Sequence, residues 1–313
     1  VFSVISPIYF DQIYSVIHNN LNFDYNELGV VFAVGSNLSG KNFDNLNLQN
    51  AVFDKADLSS TSFKNTNIDG ARFVFANLDN SNLLDRTDLS NVNLAGTDLS
   101  NVDFTGKNLS GTILTIADLT GAILSGIDLS GKDLTGTVLK GVDLSGMDLT
   151  GTILTRADLT NSVLADMNLT GTILTGANFT NAIMSNDVLF ENNFAYSVFN
   201  GVDFSGKDLL RSNFQYASFD NANLENIYSR DSTFIQVDFT KIKNKSLAGS
   251  DLTYTSFAHS NLSGVNLSDV IIYGTNFWKA NLSGVDFTVI SKASTPGSLF
   301  VETNLSNSNF EGV

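Results

Sequence analysis

The sequence predicts an all-β fold in which short strands and tight turns wind around a narrow apolar shaft. Three observations predict it: a large apolar residue at every fifth place, small residues two places before each, and turn-forming residues in the gaps. Helices and plain strands repeat at 3.6 and 2 residues, so neither produces a period of five. A repeat array does.

The period starts clearly at Leu38 and steps through Phe43, Leu48, Phe53, Leu58, Phe63, Ile68, Phe73 and Leu78 to Leu83. It resumes one residue out of step at Leu89, runs to Phe239, restarts at Leu247 and continues to Phe287. Of these 50 centres 46 are Leu or Phe, and the residue before the centre is Asp or Asn at 32 of them. Two places before the centre stand small or β-branched residues, as in Ala51, Ala56, Thr61, Thr66, Ala71 and Ala76. Two inward positions around one outward position make a three-residue wall. The other two positions, often Ser or Thr followed by Gly or Asn, have turn chemistry, because Gly and Asn accept positive φ at little cost.

If each turn is a right angle, four pentads close a coil of about 20 residues. GTILT recurs from Gly111, Gly151 and Gly171, offsets of 40 and 20 that fit such a coil, whereas GIDLSGKDL from Gly126 and GVDFSGKDL from Gly201 are 75 apart and do not settle it. About 13 coils at a spacing of roughly 4.8 Å give a rod on the order of 60 Å long. Units such as ADLSS (56–60), ANLDN (76–80), ADLTG (117–121) and ANFTN (177–181) resemble those of the pentapeptide-repeat family. The resemblance spans nearly everything beyond about residue 21. It implies a right-handed quadrilateral β-helix, a fold whose members include secreted bacterial effectors and gyrase-protecting quinolone-resistance proteins that imitate DNA.

Residues 1–20 lack the repeat. Ser6 and Pro7 suit an N-cap and first helical position, and Tyr9, Ile13, Val16 and Ile17 share a helical face, so a short N-terminal helix is expected to cap the shaft. Residues 21–313 are expected to form the β-helix, with loops breaking the frame near 84–88, 240–246 and 288–299. At the far end Phe300, Leu305 and Phe310 are still in frame. The chain is accordingly expected either to belong to a longer protein or, if that end is native, to form an end-to-end homodimer.

A formal charge of −15 disfavours direct contact with nucleic acid or anionic membrane. With no Cys and only His18 and His259, no cluster has metal-ligand spacing and no nucleophile is paired with a base. The expectation is a non-enzymatic protein without cofactor or metal, acting on a protein partner.

Three outward features are candidates for that contact. Residues 88–208 hold 14 acidic against five basic residues, and Asp88, Asp128, Asp148 and Asp208 fall on one wall, interrupted by Asn108, Asn168 and Val188. Such a wall is either a solvated surface or, through the resemblance, a DNA-like stripe for a topoisomerase. The later half is rich in outward aromatics: Phe190, Tyr196, Tyr216, Tyr228, Tyr254, Tyr273 and Trp278. Tyr196 and Tyr216 are 20 apart and should stack, as interface anchors or as packing between coils. Ile113, Ile153 and Ile173 mark one wall, and Ile123, Val163 and Ile183 the opposite one, serving either as sticky strips or as β-formers. Lys41, Lys107, Lys132, Lys207 and Lys245 occupy inward places and are expected to escape through the corners.

Overall fold

Turning the chain every five residues requires positive φ at each corner, and the residue two after each centre supplies it: Asn45, Asn50 and Asn65 sit at 62°, 59° and 57°. The Asp or Asn before the centre closes the same turn, as when Asp143 Oδ1 accepts from the Ser145 amide at 2.9 Å. This local bond explains why Asp and Asn dominate that place.

The computed structural model describes residues 31–169, 171–184, 189–291 and 297–311. Successive coils pair in parallel twenty residues apart on all four walls, Asn37 with Asp57, Asn42 with Ser62, Asn47 with Asn67 and Val52 with Arg72. Four pentads therefore make one coil. The longest regular strands described are the parallel pair β1 (Val163–Leu164) and β2 (Ile183–Met184). Among the described residues there is no α-helix, and the capping helix expected over residues 1–20 lies outside them.

The chain divides into two compact units, residues 1–99 with 106–118, and residues 100–105 with 119–313, and the described residues of each form a coil stack. Every pentad centre from Leu38 to Phe287 is buried, including the degenerate Ile68, Met184, Ser229 and Ile272. In the first stack Phe43 lies over Phe63 at 5.1 Å and Phe53 over Phe73 at 5.3 Å. In the second, a column runs Phe194, Phe214, Phe234, Phe257 and Phe277, with ring separations of 5.1, 4.9, 5.5 and 5.6 Å. Buried hydroxyls at the small inward place bond to carbonyls of the coil below, as Thr66 does to Phe43 O at 2.7 Å.

Three places lengthen a coil. A 3-10 turn at Asn82–Asp85 shifts the pairing so that Arg72 meets Asn93. Two more, Phe239–Lys241 and Lys243–Lys245, move Tyr228 to Asp251, and the chain before Leu299 moves Asn276 to Leu299, each an offset of 23.

The inward lysines behave in more than one way. Lys107 donates Nζ to Leu84 O at 2.8 Å and Arg86 O at 3.1 Å, so it caps carbonyls freed by the first lengthened coil. Lys245 is exposed, Lys41 and Lys132 are half-buried, and Lys207 is buried, which corrects the expectation that all five reach solvent. Burial pushes the Lys132 ammonium below its usual value, against the pull of Asp128.

Candidate protein-binding face

In the second stack one wall carries the continuous outward ladder Asn193, Asn213, Thr233, Ser256, Asn276 and Leu299. Its floor is short and polar as far as Asn276 and ends in the exposed Leu299, and Asn213 Nδ2 donates to Asn193 Oδ1 at 3.2 Å. The two corners that border it are different in kind. Along one stand Tyr196, Tyr216, Gln236, His259, Lys279 and Glu302, with φ of 64°, 61°, 57°, 60°, 55° and 55°. Along the other stand Glu191, Arg211, Asp231 and Tyr254, at 57°, 55°, 58° and 55°. The other two corners of these coils hold Asn, Asp and Gly at positive φ, among them Asn181, Asn221, Asn226 and Asp269, apart from Lys245 at 47° in the lengthened coil.

Six exposed aromatic side chains gather on this wall and its two corners: Phe190, Tyr196, Tyr216, Tyr254, Tyr273 and Trp278. Tyr196 and Tyr216 stack at 4.8 Å with 12° between the rings. Tyr254 meets Tyr273 edge-on at 5.4 Å, and His259 meets Trp278 edge-on at 4.8 Å. The Tyr273 hydroxyl, by hydrogen bonding, raises the Tyr254 phenol above its usual value. Lys279 Nζ stands 4.6 Å over the indole and also pairs with Glu302 at 3.5 Å. Arg211 pairs with Glu191 at 2.9 Å, and Arg230 with the buried Asp251 at 2.6 Å. Phe190, Tyr273 and Trp278 occupy the first turn position, and Tyr196, Tyr216 and Tyr254 the second, so these rings rise from the rims. Tyr228 alone of the seven expected aromatics is a wall residue, facing Asp208 and Asp251 on the adjacent wall.

The family model for pentapeptide repeats matches in eight copies, over residues 34–65, 47–85, 87–126, 117–156, 152–186, 193–228, 232–269 and 250–288. The chain belongs to the pentapeptide-repeat family. Its coils accordingly form the right-handed β-helix of that family. Among solved pentapeptide-repeat structures it is similar to HetL, involved in heterocyst differentiation regulation in Nostoc sp. strain PCC 7120, at 18% identity over 97% of this chain and 94% of that one, with a TM-score of 0.20. A protein of the Arabidopsis thaliana thylakoid lumen shares 24% identity over 50% of this chain and 72% of its own, TM-score 0.17. Full-length QnrB1, a plasmid-mediated fluoroquinolone resistance protein, shares 18% over 71% and 91%, TM-score 0.22. No curated protein matches the sequence.

Of the acidic candidates in this pentapeptide-repeat chain, Asp128 and Asp148 are near enough to act on one another electrostatically. Asp88 lies in the first stack and Asp128, Asp148 and Asp208 in the second. Each carboxylate closes its own turn, accepting from the amide of Ser90, Ser130, Thr150 or Leu210. The neighbouring Ser or Thr hydroxyl, followed by its amide, holds Asp88, Asp128 and Asp148 below the ordinary carboxylate value. Along the wall Asp88 meets Asn108, Asp148 meets Asn168 and Asp208 meets Tyr228, so these bridges do not join carboxylate to carboxylate. Asp128, Asp143 and Asp148 instead border a surface cleft of about 660 Å³ between two coils of the second stack. Among the described residues no group of three or more His, Asp or Glu side chains is placed to hold a metal ion.

Sequence reasoning missed Glu191, Arg211, Asp231, Gln236, His259 and Lys279 as members of the face. The available signal was a run of large or charged residues at the turn place that in most other pentads holds Gly, Asn or Asp.

Proposed function

We propose that this pentapeptide-repeat chain is a non-enzymatic scaffold that binds another protein through the ring-bearing face of its second stack. The observation that carries the reading is the concentration of bulky residues at positive φ on the two corners bordering one wall. A left-handed conformation costs an ordinary L-residue about 1–2 kcal/mol, and strain kept at such places marks function. Exposed Tyr, Trp and Arg are the preferred anchors of protein interfaces. Replacing Tyr196 and Tyr216 together by Ser tests it. Proteins retained from a lysate by the wild-type chain are expected to be lost by the variant, with melting nearly unchanged; retention of the same proteins by both would refute the assignment.

The second reading is a DNA-mimicking gyrase binder, favoured by the net charge of −15 and the three aspartates at the cleft. The Asn and Tyr neighbours of Asp88, Asp148 and Asp208 weigh against it, since a duplex presents charge without gaps. A supercoiling assay decides: inhibition of gyrase, or its protection from a quinolone, would favour the mimic.

A further inference from the structure

We propose that the cleft between the coils of Asp128 and Asp148 takes an extended basic segment of a partner protein, inserted as a guest strand between the two. The cleft lies within the second stack, and the inference is independent of the ring-bearing face.

The backbone carries the inference. One coil further on, Leu144, Gly146 and Leu149 donate to Val163 O, Ala165 O and Asn168 O at 2.9, 2.8 and 3.0 Å, and Val163 and Asn168 donate back to Val142 O and Met147 O at 3.1 and 3.2 Å. The counterparts of these five bonds, twenty residues earlier, are not made. The amides of Leu124, Gly126, Leu129, Asp143 and Asp148 are thus left without acceptors, and the carbonyls of Ala122, Ile127, Asp143, Ser145 and Asp148 without the matching donors. Pairing closes again on both sides, where Gly121 donates to Lys140 O and Gly131 to Thr150 O, each at 2.9 Å. The coils therefore part over one corner and the two walls that meet there. Unpaired strand edges are the template on which a further strand adds, its backbone supplying the affinity.

Volume sets the length of the guest. The cleft measures about 660 Å³. A strand residue in a sheet fills about 160 Å³, from roughly 4.8 Å between strands, 10 Å between sheets and 3.3 Å along the chain, so the space suits about four residues.

Charge and lining choose the side chains. Asp128, Asp143 and Asp148 stand exposed on the lips, and no ion pair formed by the described residues uses them. Asp128 acts on Asp148 as a like charge, and the half-buried Lys132 offsets only Asp128 of the three. A guest cation at the lips meets complementary charge. Behind the carboxylates the cleft reaches in to Leu124, Ile127 and Met147. Side chains of a strand alternate between faces, so apolar and basic residues in turn satisfy both sides.

The probe is a fluorescein-labelled hexapeptide of alternating Val and Lys, titrated at about 0.15 M salt. Saturable binding is expected, at least tenfold tighter than that of the alternating Val-Glu peptide or of the Val-Lys peptide N-methylated along its backbone. In the free protein the amides of Leu124, Gly126, Leu129, Asp143 and Asp148 are expected to exchange hydrogen faster than those of Leu144, Gly146 and Leu149, and to slow when the Val-Lys peptide binds. Asp143→Asn with Asp148→Asn keeps the acceptor that closes each turn and is expected to weaken binding about tenfold, whereas Asp208→Asn leaves it unchanged, with melting curves establishing that both variants fold. Protection of the five amides in the free protein would show a closed seam and overturn the proposal. So would equal binding of the N-methylated peptide, which marks electrostatic attraction only, equal binding of the Val-Glu peptide, or no binding of Val-Lys at millimolar concentration.

Discussion

A matched pair of glycine substitutions probes the rim. Gly264 and Gly274 both turn corners of the second stack, at φ +63° and +64°. An added Cβ at Gly264 meets nothing within 4 Å, whereas at Gly274 it lies 2.4 Å from Cδ1 and 2.5 Å from Cε1 of Tyr254. Both alanine variants carry the same left-handed penalty, about 1 kcal/mol, which for a domain of this size lowers melting by about 2–4 °C. Ordinary carbon contacts are about 3.5–4.0 Å, so in Gly274→Ala the tyrosine ring must retreat by more than an ångström. Its edge contact with Tyr273 then goes, a further loss of about 0.5–1.5 kcal/mol. Gly274→Ala is therefore expected to melt several degrees below Gly264→Ala and to change Trp278 emission, read by circular dichroism and fluorescence. Equal melting temperatures would refute the idea that the Tyr254 ring rests on that glycine, and with it the packing of Tyr254 on Tyr273.

Two further outcomes follow from the shaft and the turns. Phe214 is fully buried, 5.1 Å from Phe194 and 4.9 Å from Phe234, so Phe214→Ala is expected to cost about 3–5 kcal/mol. Because each coil contacts only its neighbours, hydrogen exchange should quicken most in the coils of Phe194, Phe214 and Phe234; uniform loss of protection throughout the chain would contradict this. Asp57, Asp143, Asp148 and Asp286 are held below the ordinary carboxylate value chiefly by the hydroxyls of Ser59, Ser145, Thr150 and Thr288. A lowered folded value contributes stability in full above the unfolded one, about 3.9, and loses it as pH falls through the folded value. Melting temperature should stay level from about pH 7 to pH 5 and drop below about pH 4; a rise in acid would reverse the assignment.

What the sequence determined is whatever five consecutive residues can enforce. An apolar centre, a small inward partner and a turn residue that accepts positive φ are local demands, so Leu38 through Phe287 could be placed in the shaft by counting. The Tyr196–Tyr216 stack was equally legible, because no lengthened coil separates the two. Which pentads lie over one another is a different matter: the pairing of coils is satisfied by any register that keeps walls over walls. Only the tertiary structure shows that the 3-10 turns at Phe239–Lys241 and Lys243–Lys245 advance it to 23, placing His259 above Gln236 and Tyr254 above Asp231. The ring-bearing face draws its residues from coils that meet through hydrogen bonds between them and not through neighbours in the chain.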